Sequence, residues 1–333
     1  MKILILGAGA WGSTLAYVFS QDHKSVTIWS KSAEKLAKID INNFYLNTKK
    51  ITYNNLVKTN SCLDLALKEA NIIVFCCTSE TLRKLAIQIH ELMIKNDLNI
   101  NDYYILSAVK GLELETFCTM SQILAEIFPN AKIGALSGPN LAHEILENLP
   151  CASVIASDND ATVQYLQHNL TSNNLRLYAN DDIIGVELGG AYKNVIALAS
   201  GICDGLKLGN NAKASLITRG IKEMAKLAKS FGAKPQTVYG LSGLGDLVAT
   251  AFASSSRNYS CGLYLAQNFD KETIAQKLNA QIEGIPTTYA IMAYSSQNNI
   301  DLPITTQVYN VLSKTQQPRE AIKVLMSRPL SKE

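Results

Sequence analysis

The chain has 333 residues, of which 47% are hydrophobic and 18% charged, with a formal net charge of +3 at pH 7. That length exceeds what one hydrophobic core usually serves, and the balance of residues excludes a disordered chain. So small a charge excess gives no reason to expect nucleic acid or a membrane surface as partner, and no stretch reaches the ~18 uninterrupted apolar residues of a membrane span. The opening MKILILGAGAWG is apolar but too short and glycine-broken for a secretion signal, so a cytoplasmic location is expected. The seven cysteines include no C-x-x-C pair, and the four histidines (His23, His90, His143, His168) are scattered. Reduced, buried thiols and no metal are expected.

In chain order, residues 3–6 read as a strand, 12–20 as a helix and 26–29 as a second strand. Runs rich in β-branched or aromatic residues follow at 72–76, 103–108 and 132–136, with amphipathic stretches near 80–94 and 116–127 between them. This alternation predicts an α/β fold with a parallel, doubly wound sheet. Further runs at 151–157 and 175–178 extend the sheet. From about residue 180 the pattern changes. Residues 186–203 are rich in Gly, Ala, Val, Ile and Leu, as a buried helix would be, and 212–231 place Leu216, Ile217, Ile221, Met224, Leu227, Ala228 and Phe231 near one helical face. More helices are expected at 258–267, 271–279, 286–297, 304–314 and 318–327, with Pro286, Pro303 and Pro318 near three starts, where proline is tolerated. The expected domains are a nucleotide-binding sheet over 1–180 and an all-helical domain over 181–333.

Gly7-Ala8-Gly9-Ala10-Trp11-Gly12 fits G-x-G-x-x-G in the required context: after a strand, and before a helix and a second strand. The first glycine permits a tight turn, the second lets the backbone approach a pyrophosphate, and the third brings helix and strand close. The helix N-terminus offers N–H groups and partial positive charge to phosphates. After the second strand the chain reads Ile28-Trp29-Ser30-Lys31-Ser32. No acid stands there to hold an adenosine 2′-hydroxyl. Lys31 could meet a 2′-phosphate or be an ordinary solvated lysine, so NAD and NADP both stay open.

Ligands of open α/β sheets bind beyond the carboxyl ends of the strands. Thr78-Ser79-Glu80, Val109-Lys110-Gly111 and Ser137-Gly138-Pro139-Asn140 fall at such ends. Lys110 could reach an anionic or carbonyl substrate, although a lone lysine is more often a surface residue. In the helical half, Lys193 and Asn194 interrupt an otherwise apolar helix. Burial in an apolar cleft lowers a lysine's pKa and makes the neutral amine available for proton transfer; the alternative is a side chain that snorkels to solvent. Leu241-Ser242-Gly243-Leu244-Gly245-Asp246-Leu247, with Thr250 after it, either aims Asp246 at a partner or caps a helix. In Ser256-Arg257-Asn258 the planar guanidinium suits phosphate. Gln281-Ile282-Glu283-Gly284 reads by itself as a polar turn between helices.

Taken together these segments resemble the bacterial NAD(P)-dependent sn-glycerol-3-phosphate dehydrogenase family. The matching stretches are GAGAWGSTLA at 7–16, KGLE at 110–113, SGPNLAHE at 137–144, GVELGGAYKNVIALASGICDG at 185–205, NAKASLITRG at 211–220, GLGDLVAT at 243–250, SRN at 256–258 and EG at 283–284. The resemblance implies a Rossmann domain followed by a helical substrate domain, and the reversible reduction of dihydroxyacetone phosphate to sn-glycerol 3-phosphate for phospholipid synthesis. It implies that Lys193 donates and accepts the proton, that Lys110 lies between cofactor and substrate, and that Gly138 and Asn140 line the substrate. Asp246, Ser256, Arg257 and Asn258 close around the substrate. Gly7, Gly9, Ala10, Trp11, Gly12, Lys31, Ala142 and Arg257 contact NAD or NADP, and Gln281 and Glu283 approach it from the helical domain. A homodimer is the assembly the family implies. Three places depart from the family's pattern: Asn140 stands where Ser or Thr is usual, Ala251-Phe252-Ala253 where the chain is usually more polar, and Gln281-Ile282 where an aliphatic pair is common. Two other readings stand beside this one, a second enzyme and a module of another class. A dehydrogenase of β-hydroxyacids or keto acids would prefer a carboxylate, against which SRN and LGGAYKN argue. A redox sensor without turnover would need the glycine loop but not Lys193, Lys110 and Arg257 together.

Overall fold

In the first strand, Lys2–Leu6 (β1), Ile3 and Ile5 pack on one face of a sheet and Leu4 and Leu6 on the other. Both faces are covered, so the strand reads as a continuous apolar run instead of an alternating one. The computed structural model describes residues 1–40, 44–46, 49–279 and 281–330. After β1 come α1 (Ala10–Gln21), β2 (Ser25–Trp29), α2 (Ala33–Asp40), β3 (Phe44–Leu46), β4 (Lys49–Ile51), β5 (Val57–Asn60), α3 (Leu63–Lys68), β6 (Ile72–Phe75), α4 (Ser79–Lys95), β7 (Tyr104–Ser107) and α5 (Met120–Ile127). Then follow β8 (Lys132–Ser137), α6 (Ala142–Leu146), β9 (Cys151–Ala156), α7 (Asp160–Leu170) and β10 (Leu175–Asn180). Among the described residues, α8 (Ile183–Gly205) is followed by the α-helices α9 (Asn210–Ser230), α10 (Asp246–Phe252), α11 (Arg257–Leu265), α12 (Lys271–Leu278), α13 (Gly284–Gln297), α14 (Pro303–Leu312) and α15 (Pro318–Met326).

The main sheet has the order β10-β9-β8-β7-β6-β1-β2-β5, with β3 and β4 pairing separately. Strands β1, β2, β5, β6, β7 and β8 are parallel, as the alternation predicts. Strand β9 departs from that expectation: it pairs antiparallel to β8, Leu136 opposite Ile155, and β10 runs parallel to β9. The only helix in the link from Ser137 to Cys151 is α6, of five residues. At ~1.5 Å per helical residue it cannot return the chain along a strand that rises ~3.3 Å per residue. The chain therefore turns back at the same end of the sheet. Helix α5 also starts later than the apolar pattern suggests, because Thr119 and Gln122 form a reciprocal cap at its N-terminus.

By its contacts the chain forms two compact units, Met1–Lys110 with Cys118–Glu187, and Gly111–Phe117 with Leu188 onward. Phe117 belongs to the second unit because its ring packs edge-on against Tyr294, at 5.6 Å between centroids. In the first unit, α1, α6 and α7 cover one face of the sheet and α3, α4 and α5 the other. In the second, α8 is buried along most of its length, which accounts for its uniformly apolar sequence. Gly201 of α8 and Gly262 of α11 bring these helices so close that a Cβ on Gly201 would lie 2.9 Å from Gly262 Cα. The expected burial of the thiols holds for Cys203 and Cys261 but not for Cys62, which is exposed at the start of α3. Among the described residues no helix is long and apolar enough to cross a membrane.

Candidate active site

The glycine loop joins β1 to α1. Gly7 donates its N–H to Trp29 O at 2.9 Å and adopts φ +133°, a region that favours glycine. A Cβ there would lie 2.6 Å from the carbonyl oxygen of Cys76, at the end of β6. Gly12 packs its Cα side against Gly7 and Cys76, so the helix starts hard against the strands. Gly9 differs: a Cβ on it would meet nothing within 4 Å. The loop is thus walled by β6 on one side and open at Gly9, at the N-terminus of α1, where no side chain caps the helix. Trp11 Nε1 and Ser13 Oγ, buried on α1, have no hydrogen-bond partner. An open anion-binding helix end with orphaned donors beside it fits a dinucleotide pyrophosphate. Lys31 is exposed just beyond β2.

At the neighbouring strand ends, Lys110 Nζ donates to Gly138 O at 2.9 Å, and Asn140 follows one residue beyond Pro139. Gly138 has φ +143° and lies against Ser153, whose Cα would be 2.9 Å from a Cβ at that position. Asn140 Oδ1 accepts a hydrogen bond from Ser153 Oγ, and Cys151 Sγ donates to Pro139 O at 3.2 Å. Ala142 opens α6, which packs on α1. The structure therefore brings Lys110, Gly138, Asn140 and Ala142 to one edge of the first unit.

In the second unit Lys193 is 9% exposed. Its ammonium donates to Asp246 Oδ1 and to Thr250 Oγ1, both at 2.7 Å. Thr250 Oγ1 donates in turn to Asp246 Oδ1 at 3.3 Å. Asp246 is 2% exposed and begins α10 directly after the glycine-rich turn of Leu241–Gly245. The turn approaches α8 at Gly189, where a Cβ would lie 2.9 Å from Ser242 O. Lys193 neither snorkels nor sits alone in an apolar cleft; it is one half of a buried ion pair, and Asp246 is its partner instead of a helix cap.

The remaining candidates cluster around α11. Ser256 is its N-cap and accepts from Tyr259 N–H at 3.3 Å. Arg257 is exposed at the first helical position. Asn258 Nδ2 donates to Asn194 Oδ1 at 2.8 Å, and its Oδ1 accepts from Gly284 N–H at 2.9 Å. That chain of bonds ties α8, α11 and α13 together and sets the 281–284 segment beside α11, with Gln281 exposed and Glu283 at the N-cap of α13. In the apolar 251–253 stretch, Phe252 is exposed and lies 4.1 Å beneath the Lys213 ammonium.

Sequence reasoning passed over two features. Ser153 lies in the apolar run CASVIA, which reads only as a strand. Glu187 lies inside the GVELGGAYKN stretch that opens the 185–205 segment, and its signal was there: an acid in an apolar helix, like Lys193. It is buried on α8 and accepts from Ser121 N–H at 3.0 Å and Ser121 Oγ at 2.5 Å, at the N-terminus of α5. Burial pushes its carboxyl up to about 7, against the hydrogen bonds from Ser121 and Thr119 and with the charge of Asp158.

Residues 2–163 match the family model described as NAD-dependent glycerol-3-phosphate dehydrogenase N-terminus, and residues 182–323 match its C-terminus counterpart. The chain belongs to the NAD-dependent glycerol-3-phosphate dehydrogenase family. Among curated members, a glycerol-3-phosphate dehydrogenase (NAD(P)+) of Trichormus variabilis is 41% identical, over 99% of this chain and 98% of that protein. A member from Neisseria meningitidis with the same description is 36% identical, over 98% of each chain. Among solved structures, the family's Coxiella burnetii enzyme superposes with a TM-score of 0.91 at 34% identity, covering 98% of this chain and 99% of that one. The Plasmodium falciparum glycerol-3-phosphate dehydrogenase, at 23% identity and TM-score 0.87 over 100% and 97% of the two chains, shares the fold.

Proposed function

We propose that this chain interconverts dihydroxyacetone phosphate and sn-glycerol 3-phosphate with NADH or NADPH in the cytoplasm, supplying glycerol 3-phosphate for phospholipid synthesis. The observation that carries the reading is the buried Lys193–Asp246–Thr250 constellation, in a chain whose other unit carries the dinucleotide loop. Residues 1–180 take the cofactor and 181–333 most of the substrate chemistry. The nicotinamide, when bound, supplies the hydride that reaches C2 of the ketone. Lys193 then gives a proton to the C2 oxygen, so that ketone, hydride and proton make the secondary alcohol; in reverse the amine removes that proton. Asp246 and Thr250 each take one N–H of the ammonium and so fix its direction. Lys110, steadied by Gly138 O, stabilises the charge that develops on the oxygen. Arg257 and the first amides of α11 hold the phosphate, since Ser256 caps only Tyr259 N–H. Lys31 supports use of NADPH beside NADH.

The test is the loss of reduced-cofactor absorbance when protein, NADH or NADPH, and dihydroxyacetone phosphate are mixed. Lys193→Ala should lower kcat at least ~100-fold while NADH still binds, because general acid–base steps contribute ~10²–10⁴-fold. No turnover with either cofactor sinks the reading, and near-full turnover in the variant sinks the role of Lys193. The homodimer implied by the family is checked by sedimentation equilibrium.

A further inference from the structure

Asn140 lies in surroundings built for an amide. Its Oδ1 accepts from Ser153 Oγ, while the single thiol proton of Cys151 is nearer to Pro139 O. Its Nδ2 is shut off from solvent and has no hydrogen-bond partner. Buried amide donors are rarely left in this state unless a ligand or water completes them. Ser153 can reach Asn140 only because β9 is antiparallel to β8. That topology sets the start of β9 beside the carboxyl end of β8, with Val154 opposite Ser137. Ser153 is fully buried, and its Cα and Oγ press on Gly138, whose carbonyl already holds Lys110. The hydroxyl thus belongs to the same packed corner as two other candidate substrate residues.

We propose that Ser153 is a positioning residue: by holding Oδ1 of Asn140 it turns the amide so that Nδ2–H donates to an oxygen of bound dihydroxyacetone phosphate. This rests on the substrate reading of Asn140 given above. A Ser or Thr hydroxyl can donate or accept as it rotates; an amide held by its oxygen can only donate from the other side. The corner therefore demands an acceptor oxygen from its ligand, and it demands Ser153 to keep that polarity.

The test is a cycle of variants with KM for dihydroxyacetone phosphate and kcat measured at saturating NADH, and NADH affinity followed by its fluorescence. Ser153→Ala should raise KM about ten-fold, with kcat within about two-fold and NADH affinity unchanged, the effect of losing one orienting hydrogen bond. Ser153→Cys, which keeps a weaker donor, should fall between the two and stands in if the alanine variant does not fold. Asn140→Asp, which exchanges the donor for a carboxylate oxygen, should raise KM well beyond either. In an Asn140→Ser background, whose hydroxyl orients itself, Ser153→Ala should leave KM unmoved. Equal KM increases in both backgrounds, or wild-type KM in Ser153→Ala, would overturn the positioning role. Wild-type KM in Asn140→Asp would instead overturn the substrate reading on which it rests.

Discussion

Glu187 and Lys193 share helix α8, both are buried, and their surroundings treat charge differently. Lys193 meets a carboxylate at 2.7 Å. Glu187 is held by Ser121 and Thr119, which are neutral donors, so desolvation outweighs the hydrogen bonds and its carboxyl titrates at about 7 instead of 4.5. The sign for stability follows. Below the unfolded value both states hold the proton. Between pH 4.5 and 7 the folded state holds a proton that the unfolded chain releases, so this group's contribution is lost as pH rises and is gone above about 7. Two and a half pH units correspond to on the order of 3 kcal/mol. Glu187→Gln keeps an acceptor for Ser121 N–H and removes the titration. Its unfolding free energy relative to wild type should therefore improve between pH 5 and pH 8 in denaturant titrations; parallel pH slopes for the two proteins would refute the argument. The lysine was legible in the sequence because a cation inside an apolar helix is conspicuous. Its partner Asp246 was legible only as one of several uses of a glycine-flanked acid.

At the scale of elements, the β1–α1 loop separates what folding needs from what the ligand needs. Gly7 carries a positive φ and sits against Cys76 O. Gly7→Ala should cost about 1–3 kcal/mol of stability through backbone strain and close contact, read as a drop in Tm. Gly9 has extended backbone at φ −81° and open space around it. Gly9→Ala should leave Tm within the scatter of surface substitutions, yet weaken NADH at least ~10-fold, because the methyl group takes the space of the pyrophosphate. Wild-type NADH affinity in Gly9→Ala would move the phosphate site elsewhere. The strand–helix–strand order around this loop could be read directly from residue periodicity. The reversal of β9 could not. CASVIA is as apolar as the parallel strands, and only the shortness of α6 turns the chain back and delivers Ser153 to Asn140.

For the molecule as a whole, the dinucleotide loop and the Lys193 constellation lie in different units, so on the proposed reading the energetics of these two features separate. NADH at one hundred times its dissociation constant should add about 2.7 kcal/mol to the unfolding free energy by mass action. Lys193→Ala should retain that stabilisation, because the first unit carries the loop, and Gly9→Ala, with affinity ~10-fold weaker, should keep at most about half of it at the same NADH concentration. A Lys193→Ala protein that is no longer stabilised by NADH would contradict this division. Helix α8 belongs to both units, its start with the first and the rest with the second.

The sequence alone determined the α/β order, the helical second half, the dinucleotide loop and the membership implied by motifs such as LGGAYKN and SRN, because those features are local: periodicity, caps and short spacings. The tertiary structure decided the direction of β9, the pairing of Lys193 with Asp246 and Thr250, the neutral hydrogen-bond donors that surround the buried Glu187, and the hold of Ser153 on Asn140. Each of these joins residues thirteen or more positions apart, and which donor meets which acceptor depends on packing that no local pattern encodes.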